Sequence, residues 1–184
     1  MAREIVPNVN RLARALRDAG GRVIWIRTIF TDQAAKGWSH FHAVLNTAQR
    51  RTRRTEALRE GALGAQFWPA LDIEPGDLTI CKTRYSALIP GSSDLEAKLR
   101  EHAIEAVWIA GTATSTCCES TARDAMLLDF RTTMVSDANA DESDLQHSAT
   151  LTKFCITFGD VASTDELVAR LQSAQPAQKL AAIG

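Results

Sequence analysis

The stretch AVWIAGTATSTCCESTARDAM, residues 106–126, decides the fold because it reads as a strand, a tight turn and a helix in direct succession. The apolar run at 106–110 ends before Gly111 and is typical of a strand buried on both faces of a parallel sheet. Residues 120–130 contain several apolar side chains and no Gly or Pro, so a helix follows directly. The short polar turn between the two elements places Cys117 at or near a helix N-terminus.

A thiol at that position is a candidate nucleophile. Unpaired backbone N–H groups and the positive end of the helix dipole favour an anion, which lowers a thiol pKa and favours the thiolate. The same N–H groups could stabilise the oxyanion that forms when a carbonyl is attacked. From position alone, a small buried cysteine that packs at the strand–helix junction is an equally good interpretation of Cys117, since free cysteine is among the most buried residue types.

Strands and helices alternate along the rest of the chain. A helix is predicted over residues 3–19, and β-branched or apolar runs predict strands at 23–26, 78–81 and 132–135. This alternation predicts an α/β fold with right-handed crossovers and a parallel sheet that is covered on both faces. Ligands in such sheets bind outside the carboxyl ends of the strands, where the segments after these runs should converge.

The length and composition of the chain limit what it can be. Residues 1–173 are expected to form one domain, and residues 174–184, which are small and polar, are expected to be a flexible tail. A formal net charge of −1 gives no electrostatic reason to expect nucleic acid or an anionic membrane as a partner. The four cysteines show no C-x-x-C spacing, and neither a membrane span nor a signal peptide is visible, so we expect reduced thiols and a cytoplasmic location.

The cysteine turn occurs together with motifs on either side of it. These are Lys82 within CKTRYSA (81–87), GSSDL (91–95), G-x-x-T-x-x-C followed by TARDA (121–125), and VSDA (135–138). In order and spacing they resemble the isochorismatase-like cysteine hydrolases, from about residue 4 to residue 171. The resemblance implies a Rossmann-like, three-layer α/β/α sandwich with a largely parallel sheet, in agreement with the alternation of elements.

The resemblance also implies roles for individual residues. Cys117 matches the family nucleophile, and Lys82 matches a lysine that helps to position and stabilise charge at the site. A cis peptide bond is implied at Ala113–Thr114, and backbone N–H groups of that region and of Cys117 would form the oxyanion hole. Cys118 would point about 100° away from Cys117 on a helix, so we expect it to pack in the core.

Two further groups of side chains are candidates for binding. Aromatic residues that could equally well serve plain packing are candidate walls of the substrate pocket: Trp38, Phe41 and Tyr85. His40 and His42 with Asp32 suggest a metal, as in the nicotinamidase branch of the family, but their spacing differs from that branch's Asp-x-His pattern. We therefore expect no metal and no cofactor.

The sequence departs from the family pattern at its start. The family's first strand, which ends in an Asp that acts as general base toward the thiol, would precede the helix that begins here at Arg3. That strand lies inside the sheet, so its absence would leave backbone groups of both neighbouring strands without partners. One hypothesis places the strand and its Asp upstream of Met1, and the other is a short variant that binds or assembles without turnover.

The sequence thus predicts a cysteine hydrolase that cleaves a C–N bond of a small amide, imide or carbamoyl compound through an acyl-enzyme on Cys117. The alternative is a catalytically incomplete family member that only binds ligand or oligomerises. The expected partners are a small-molecule substrate and further copies of the chain, in a homodimer or homotetramer.

Overall fold

The computed structural model describes residues 2–44, 47–173 and 180–183, and six strands and eight α-helices are found within these ranges. The strands are β1 (Arg22–Thr28), β2 (Leu78–Lys82), β3 (Ala106–Thr112), β4 (Arg131–Ala140), β5 (Asp160–Ala162) and β6 (Leu180–Ile183). The helices are α1 (Val6–Asp18), α2 (Asp32–Lys36), α3 (Ser39–Val44), α4 (Ala48–Ala57), α5 (Leu95–Glu101), α6 (Glu119–Leu127), α7 (Asp144–Thr157) and α8 (Thr164–Ser173).

The strands form one parallel sheet in the order β2-β1-β6-β3-β4-β5. Helices α5, α6 and α7 cover one face, where Leu99, Ala122 and Phe154 belong to a single buried cluster. Helices α1 and α8 cover the other face, where Leu12 and Leu167 are fully buried. The predicted three-layer α/β/α sandwich is therefore confirmed.

Side chains at the helix ends show why the helices begin where they do. At the start of α8, the Ser163 hydroxyl accepts a hydrogen bond from the Glu166 N–H at 3.3 Å, and the Glu166 carboxylate accepts one from the Ser163 N–H at 2.7 Å. This reciprocal pair satisfies two N–H groups that the helix itself cannot. Ser143 begins α7 in a similar way, since its hydroxyl accepts from the Gln146 N–H at 3.3 Å.

The centre of the sheet differs from the sequence prediction. Residues 180–183 were expected to belong to a flexible tail, but they form β6, between β1 and β3. Ile183 lies opposite Ile24 of β1 and Ile109 of β3, so β6 supplies backbone partners to both neighbouring strands. The prediction of a tail is wrong for these four residues, whereas residues 174–179 and 184 lie outside the described part of the chain.

The side chains of β6 explain why a short strand is stable there. Ala181 is completely buried against the α5–α7 layer, and Ala182 is buried on the α1 side. Small side chains at these two positions let both helical layers approach the sheet closely. Ile183 is only 2% exposed and ends the strand at the carboxyl edge.

Replacement of Ile183 tests whether β6 is packed in the sheet. We expect Ile183→Ala to lower the free energy of unfolding by about 2–5 kcal/mol, because it removes buried methyl groups from a central strand. Urea denaturation measures the change. Ile156→Ala on α7 is the control, since Ile156 is 76% exposed and its truncation should have little effect. Equal stability of the two variants would contradict the placement of β6.

Candidate active site

The chain makes an unusual turn between β3 and α6. A cis peptide bond joins Thr112, the last residue of β3, to Ala113. The resemblance had implied this bond at Ala113–Thr114, so that assignment is wrong by one residue. Residues Thr114–Cys118 then form a single π-helical turn, here called the Cys turn, which leads directly into α6.

The Cys turn is wider than a turn of α-helix. The Ala113 carbonyl accepts hydrogen bonds from the N–H of Cys118 at 3.1 Å and from the N–H of Thr116 at 3.2 Å. Single π-helical turns of this kind are frequent at functional sites. The turn sets Cys117 two residues before the first residue of α6, as the sequence predicted for a thiol near a helix N-terminus.

Residues from the end of β4 and from α7 hold the Cys turn in place. The Ser115 N–H donates to Asp141 Oδ2 at 2.5 Å, and the buried Thr114 hydroxyl lies 2.9 Å from His147 Nδ1. Burial by itself would raise the pKa of Asp141, but hydrogen bonds from the N–H groups of Ser115 and Glu142, with the charge of His147, hold that pKa below its usual value. Asp141 is therefore an ionised anchor for the backbone of the turn.

The two adjacent cysteines lie in different environments. Cys117 is partly exposed and lines a cavity at the edge of the sheet. Cys118 is buried in the cluster beneath α5–α7, and this burial strongly raises the pKa of its thiol. The prediction that Cys118 packs in the core is confirmed.

Lys82 ends β2 with a buried side chain. Its ammonium group donates to the carbonyl oxygens of Arg84 at 2.9 Å and Tyr85 at 2.6 Å. The loop that carries these carbonyls is fixed by Ser92, whose hydroxyl accepts from the Arg84 N–H at 3.2 Å and donates to the Ser86 carbonyl at 2.6 Å. Lys82 therefore does not reach outward to solvent, and its ammonium group is held at the carboxyl edge of the sheet.

Cys117 and Lys82 line the same cavity, whose volume is about 480 Å³. Its floor includes the last residue of each of four strands: Thr28, Lys82, Thr112 and Ile183. The lining also includes apolar side chains from α1 and from the segment after α4: Val6, Val9, Phe67, Trp68 and Leu71. This is the position in a parallel sheet at which ligands bind.

Among the described residues, the cavity lining contains three cationic side chains, Arg3, Arg27 and Lys82, and no Asp or Glu. The strand that occupies the centre of the sheet, β6, has only apolar residues at 180–183. Among the described residues, this central strand therefore ends in Ile183 and contributes no carboxylate to the cavity. Asp141 contacts the Cys turn through Ser115 and does not line the cavity.

The aromatic residues predicted to form the wall of the substrate pocket lie together but away from the cavity that Cys117 lines. Trp38 stacks on Phe41 with ring centroids 4.0 Å apart, and both rings meet Tyr85 edge to face. Arg84 lies over the Trp38 ring at 5.4 Å, and Arg54 lies over the Phe41 ring at 5.3 Å. The three aromatic residues thus come together, but none of them lines the cavity beside Cys117. The aromatic side chains that do line it are Trp25, Phe67 and Trp68.

Within the described ranges, no group of three or more His, Cys, Asp and Glu side chains could hold a metal ion. The side chain of His42, one of the residues considered for a metal, lies outside the described part of the chain. No helix among the described residues has the length and apolar character needed to cross a membrane.

Comparison with known proteins gives the family. The family profile described as the isochorismatase domain matches residues 1–166 of the chain. The chain belongs to the isochorismatase family. Its fold also matches that of a cysteine hydrolase from Pseudomonas syringae pv. phaseolicola, with a TM-score of 0.78, 25% identity, and coverage of 95% of this chain and 83% of the other.

Curated members of the isochorismatase family are related along most of the chain. An uncharacterized isochorismatase family protein of Bacillus subtilis, YwoC, is 26% identical over 92% of this chain and 84% of its own length. A ureidoacrylate amidohydrolase, RutB of Rhizobium rhizogenes, is 27% identical over 96% of this chain and 74% of its own length.

Asp141 gives a pH-dependent test of how this family member holds its Cys turn. Because the pKa of Asp141 is lowered on folding, its contribution to stability is present above the unfolded-state value of 3.8 and is lost as pH falls through the folded-state value. We expect Asp141→Asn to lower the free energy of unfolding at pH 7 by about 1–3 kcal/mol, which is typical of a hydrogen bond to a charged group. The difference from the unmodified protein should shrink below pH 3.8.

Urea denaturation between pH 3 and pH 7 measures this difference. Asp18→Asn is the control, because Asp18 is exposed at the end of α1 and its neutralisation removes the same charge without touching the turn. A pH-independent loss of stability in Asp141→Asn, or an equal loss in Asp18→Asn, would show that the carboxylate does not anchor the turn.

Proposed function

We propose that this isochorismatase-family protein is a cysteine hydrolase that cleaves a C–N bond of a small amide, imide or carbamoyl compound. The observation that supports this function best is that Cys117 and Lys82 line one cavity at the carboxyl edge of the sheet. Cys117 is the partly exposed member of its cysteine pair, and Lys82 is a buried cation that lines the same cavity. A nucleophile and a positive charge are the two groups that acyl transfer from an amide needs most.

The reaction begins with a bond between Cys117 Sγ and the substrate carbonyl carbon. The negative charge that develops on the carbonyl oxygen is stabilised by the Lys82 ammonium and by the Cys117 N–H, since the N–H groups of Ser115, Thr116 and Cys118 already bond to Asp141 and to the Ala113 carbonyl. The C–N bond then breaks, and the nitrogen leaves as an amine or ammonia after it takes up the thiol proton. Water attacks the resulting thioester, which releases the acid and restores the Cys117 thiol.

Two relatives support amide chemistry. RutB of Rhizobium rhizogenes is named as an amidohydrolase, and the matching Pseudomonas syringae structure is named as a cysteine hydrolase. Both names fit a reaction in which Cys117 is the attacking atom and an amide nitrogen is the leaving group. We propose the same chemistry for this chain because Cys117 and Lys82 line one cavity.

A second candidate function is ligand binding without turnover. The observation that favours it is the absence of Asp and Glu from the cavity lining in the described part of the chain, since a general base normally activates a cysteine nucleophile. A hydrolase needs a reactive Cys117 thiol and cleaves the bound amide. A binding protein needs no reactive thiol and releases the amide unchanged.

Replacement of Cys117 distinguishes the two functions. In a screen of small amides and ureides that follows ammonia release, we expect Cys117→Ala to reduce kcat by about 10³-fold or more, because it removes the attacking atom. Cys155→Ala is the matched control, since Cys155 is exposed on α7 and should be dispensable. Equal activity in Cys117→Ala and the unmodified protein would reject the cysteine mechanism.

Alkylation provides an independent readout that does not require the true substrate. With iodoacetamide at pH 7 and peptide mapping, Cys117 should react faster than Cys155, because a thiolate is the reactive form of cysteine. Cys155 serves as the internal reference for an ordinary exposed thiol. Labelling of Cys117 no faster than that of Cys155 would favour ligand binding without turnover.

A further inference from the structure

The TARDA motif at residues 121–125 begins with a threonine whose hydroxyl has two backbone partners. Thr121 is on α6 and is only 4% exposed. Its Oγ1 donates to the Cys117 carbonyl at 2.8 Å and accepts from the Ala87 N–H at 3.2 Å. Cys117 belongs to the Cys turn, whereas Ala87 belongs to residues 83–94, here called the Lys82 loop, which connect β2 to α5.

The bond to the Cys117 carbonyl acts on the peptide that follows the candidate nucleophile. This peptide joins Cys117 to Cys118, and its N–H donates to the Ala113 carbonyl at 3.1 Å. Its carbonyl accepts from Thr121, so both polar groups of one planar unit are held. A rotation of this peptide would break both bonds, and the direction in which the Cys117 side chain leaves the turn is therefore fixed.

The bond to the Ala87 N–H acts on the Lys82 loop. Ala87 is completely buried, and its carbonyl accepts from the Ser93 hydroxyl at 2.6 Å. Two other carbonyls of the same loop accept the hydrogen bonds of the Lys82 ammonium. The Thr121 hydroxyl therefore joins the segment that holds the cation to the turn that contains the nucleophile.

The sheet alone does not bring these two segments into contact. Lys82 ends β2 and the Cys turn follows β3, and strands β1 and β6 lie between them. The Lys82 loop and α6 meet on the face that α5, α6 and α7 cover, where Ala87, Leu88, Cys118 and Ala122 belong to one buried cluster. Apolar packing is non-directional, whereas a hydrogen bond also restricts how the two segments are oriented.

The Thr121 hydroxyl is not a donor for a substrate. A hydroxyl has one hydrogen, and here it is directed at the Cys117 carbonyl. Thr121 is among the residues that line the cavity, but its polar group acts on the backbone of its neighbours.

The charge of Lys82 is felt at the cysteine pair. Burial raises the pKa of the Cys118 thiol, and the positive charge of Lys82 opposes that rise. The strength of such an interaction depends on distance. A displacement of the Lys82 loop relative to the Cys turn would therefore change how strongly Lys82 acts on a thiolate or an oxyanion at the site.

We propose that Thr121 is a positioning residue, whose hydroxyl holds the Cys turn and the Lys82 loop in one arrangement so that Cys117 and the Lys82 ammonium face the same substrate carbonyl. The inference rests on the proposed function for the roles of Cys117 and Lys82. It adds that their geometry depends on a hydroxyl that takes no part in the chemistry.

Three variants separate the hydroxyl of this side chain from its packing. Thr121→Val keeps the shape and removes the hydroxyl, whereas Thr121→Ser keeps the hydroxyl. Thr132→Val is the matched control, because Thr132 is 6% exposed and its hydroxyl also donates to a backbone carbonyl, that of Phe130, at 2.9 Å. Thr132 lies near the start of β4, at the opposite end of the sheet from the cavity.

The first readout is the rate at which iodoacetamide alkylates Cys117 at pH 7, divided by the rate for Cys155 in the same protein. We expect Thr121→Val to lower this ratio about 3- to 10-fold, because the attraction between a thiolate and an ammonium weakens with distance. Thr121→Ser and Thr132→Val should leave the ratio near that of the unmodified protein. An equal fall in Thr121→Val and either of these variants would overturn the role of the hydroxyl.

Amide hydrogen exchange tests the connection between the two segments without reference to reactivity. Thr121→Val should speed exchange of the Ala87 N–H, which loses its acceptor, and of the Cys118 N–H, which belongs to the peptide that Thr121 holds. Thr121→Ser and Thr132→Val should leave both groups protected. Unchanged protection of both groups in Thr121→Val would overturn the inference.

The two readouts distinguish this inference from the proposed function. Labelling of Cys117 no faster than that of Cys155 in the unmodified protein would count against a hydrolase, and exchange at Ala87 and Cys118 would still decide the role of Thr121. Faster exchange at both groups in Thr121→Val alone, in a protein whose Cys117 is unreactive, would support Thr121 and count against the proposed function.

Discussion

The backbone pairing of β6 with both β1 and β3 is the constraint on which the rest of the structure depends. Without it, the strands would form two smaller sheets, β2-β1 and β3-β4-β5, and each would present an unpaired edge to the other. Buried N–H and C=O groups without partners lower the stability of the folded state. Because β6 supplies partners to two strands at once, its four residues contribute more to stability than their number suggests.

The candidate site is divided between the two sides that β6 joins. Lys82 and Arg27 belong to β2 and β1, whereas the Cys turn follows β3 and is anchored by Asp141 after β4. Two strands, β1 and β6, lie between Lys82 at the end of β2 and the Cys turn after β3. Neighbouring strands are about 4.8 Å apart, so the position of β6 sets how far apart the two sides of the site lie.

The Cys turn, which contains the candidate nucleophile, is held in place by several hydrogen bonds to a few neighbouring residues. Ser115 donates to Asp141, Thr114 meets His147, and the Ala113 carbonyl accepts two N–H groups. Groups fixed in this way need no reorganisation when charge develops on a substrate. The cationic side is fixed by loop carbonyls around Lys82.

Local patterns in the sequence were enough for part of this account. The apolar run before Gly111, the following helix and the burial of Cys118 could all be predicted from neighbouring residues. β6 could not, because Leu-Ala-Ala-Ile is too short and too small-sided to give a strand signal, and its stability comes from partners distant in the chain.

The end of β4 shows a second limit of the sequence signal. The strand was predicted to stop at Val135, but it runs to Ala140 through polar residues. Asp137 bonds to Thr164 N–H at 2.7 Å, and Asn139 donates to the Ile109 carbonyl at 2.8 Å. Asp137 and the Asn139 amide nitrogen thus bond to distant segments, whereas the buried Asn139 Oδ1 has no partner among the described residues. Such side chains looked like loop residues in the sequence, so the segment that leads to Asp141 was not recognised as part of the sheet. Which aromatic residues line the cavity likewise depends on packing between distant segments, and sequence spacing does not reveal it.

Amide hydrogen exchange at β6 tests most directly the claim that this strand joins the two sides of the site. The account predicts that the N–H groups of Ala181, Ala182 and Ile183 that face β1 or β3 exchange as slowly as those of Val107 and Ile109 in β3. Exchange of those three residues at the rate of an unstructured peptide, with β3 still protected, would contradict it.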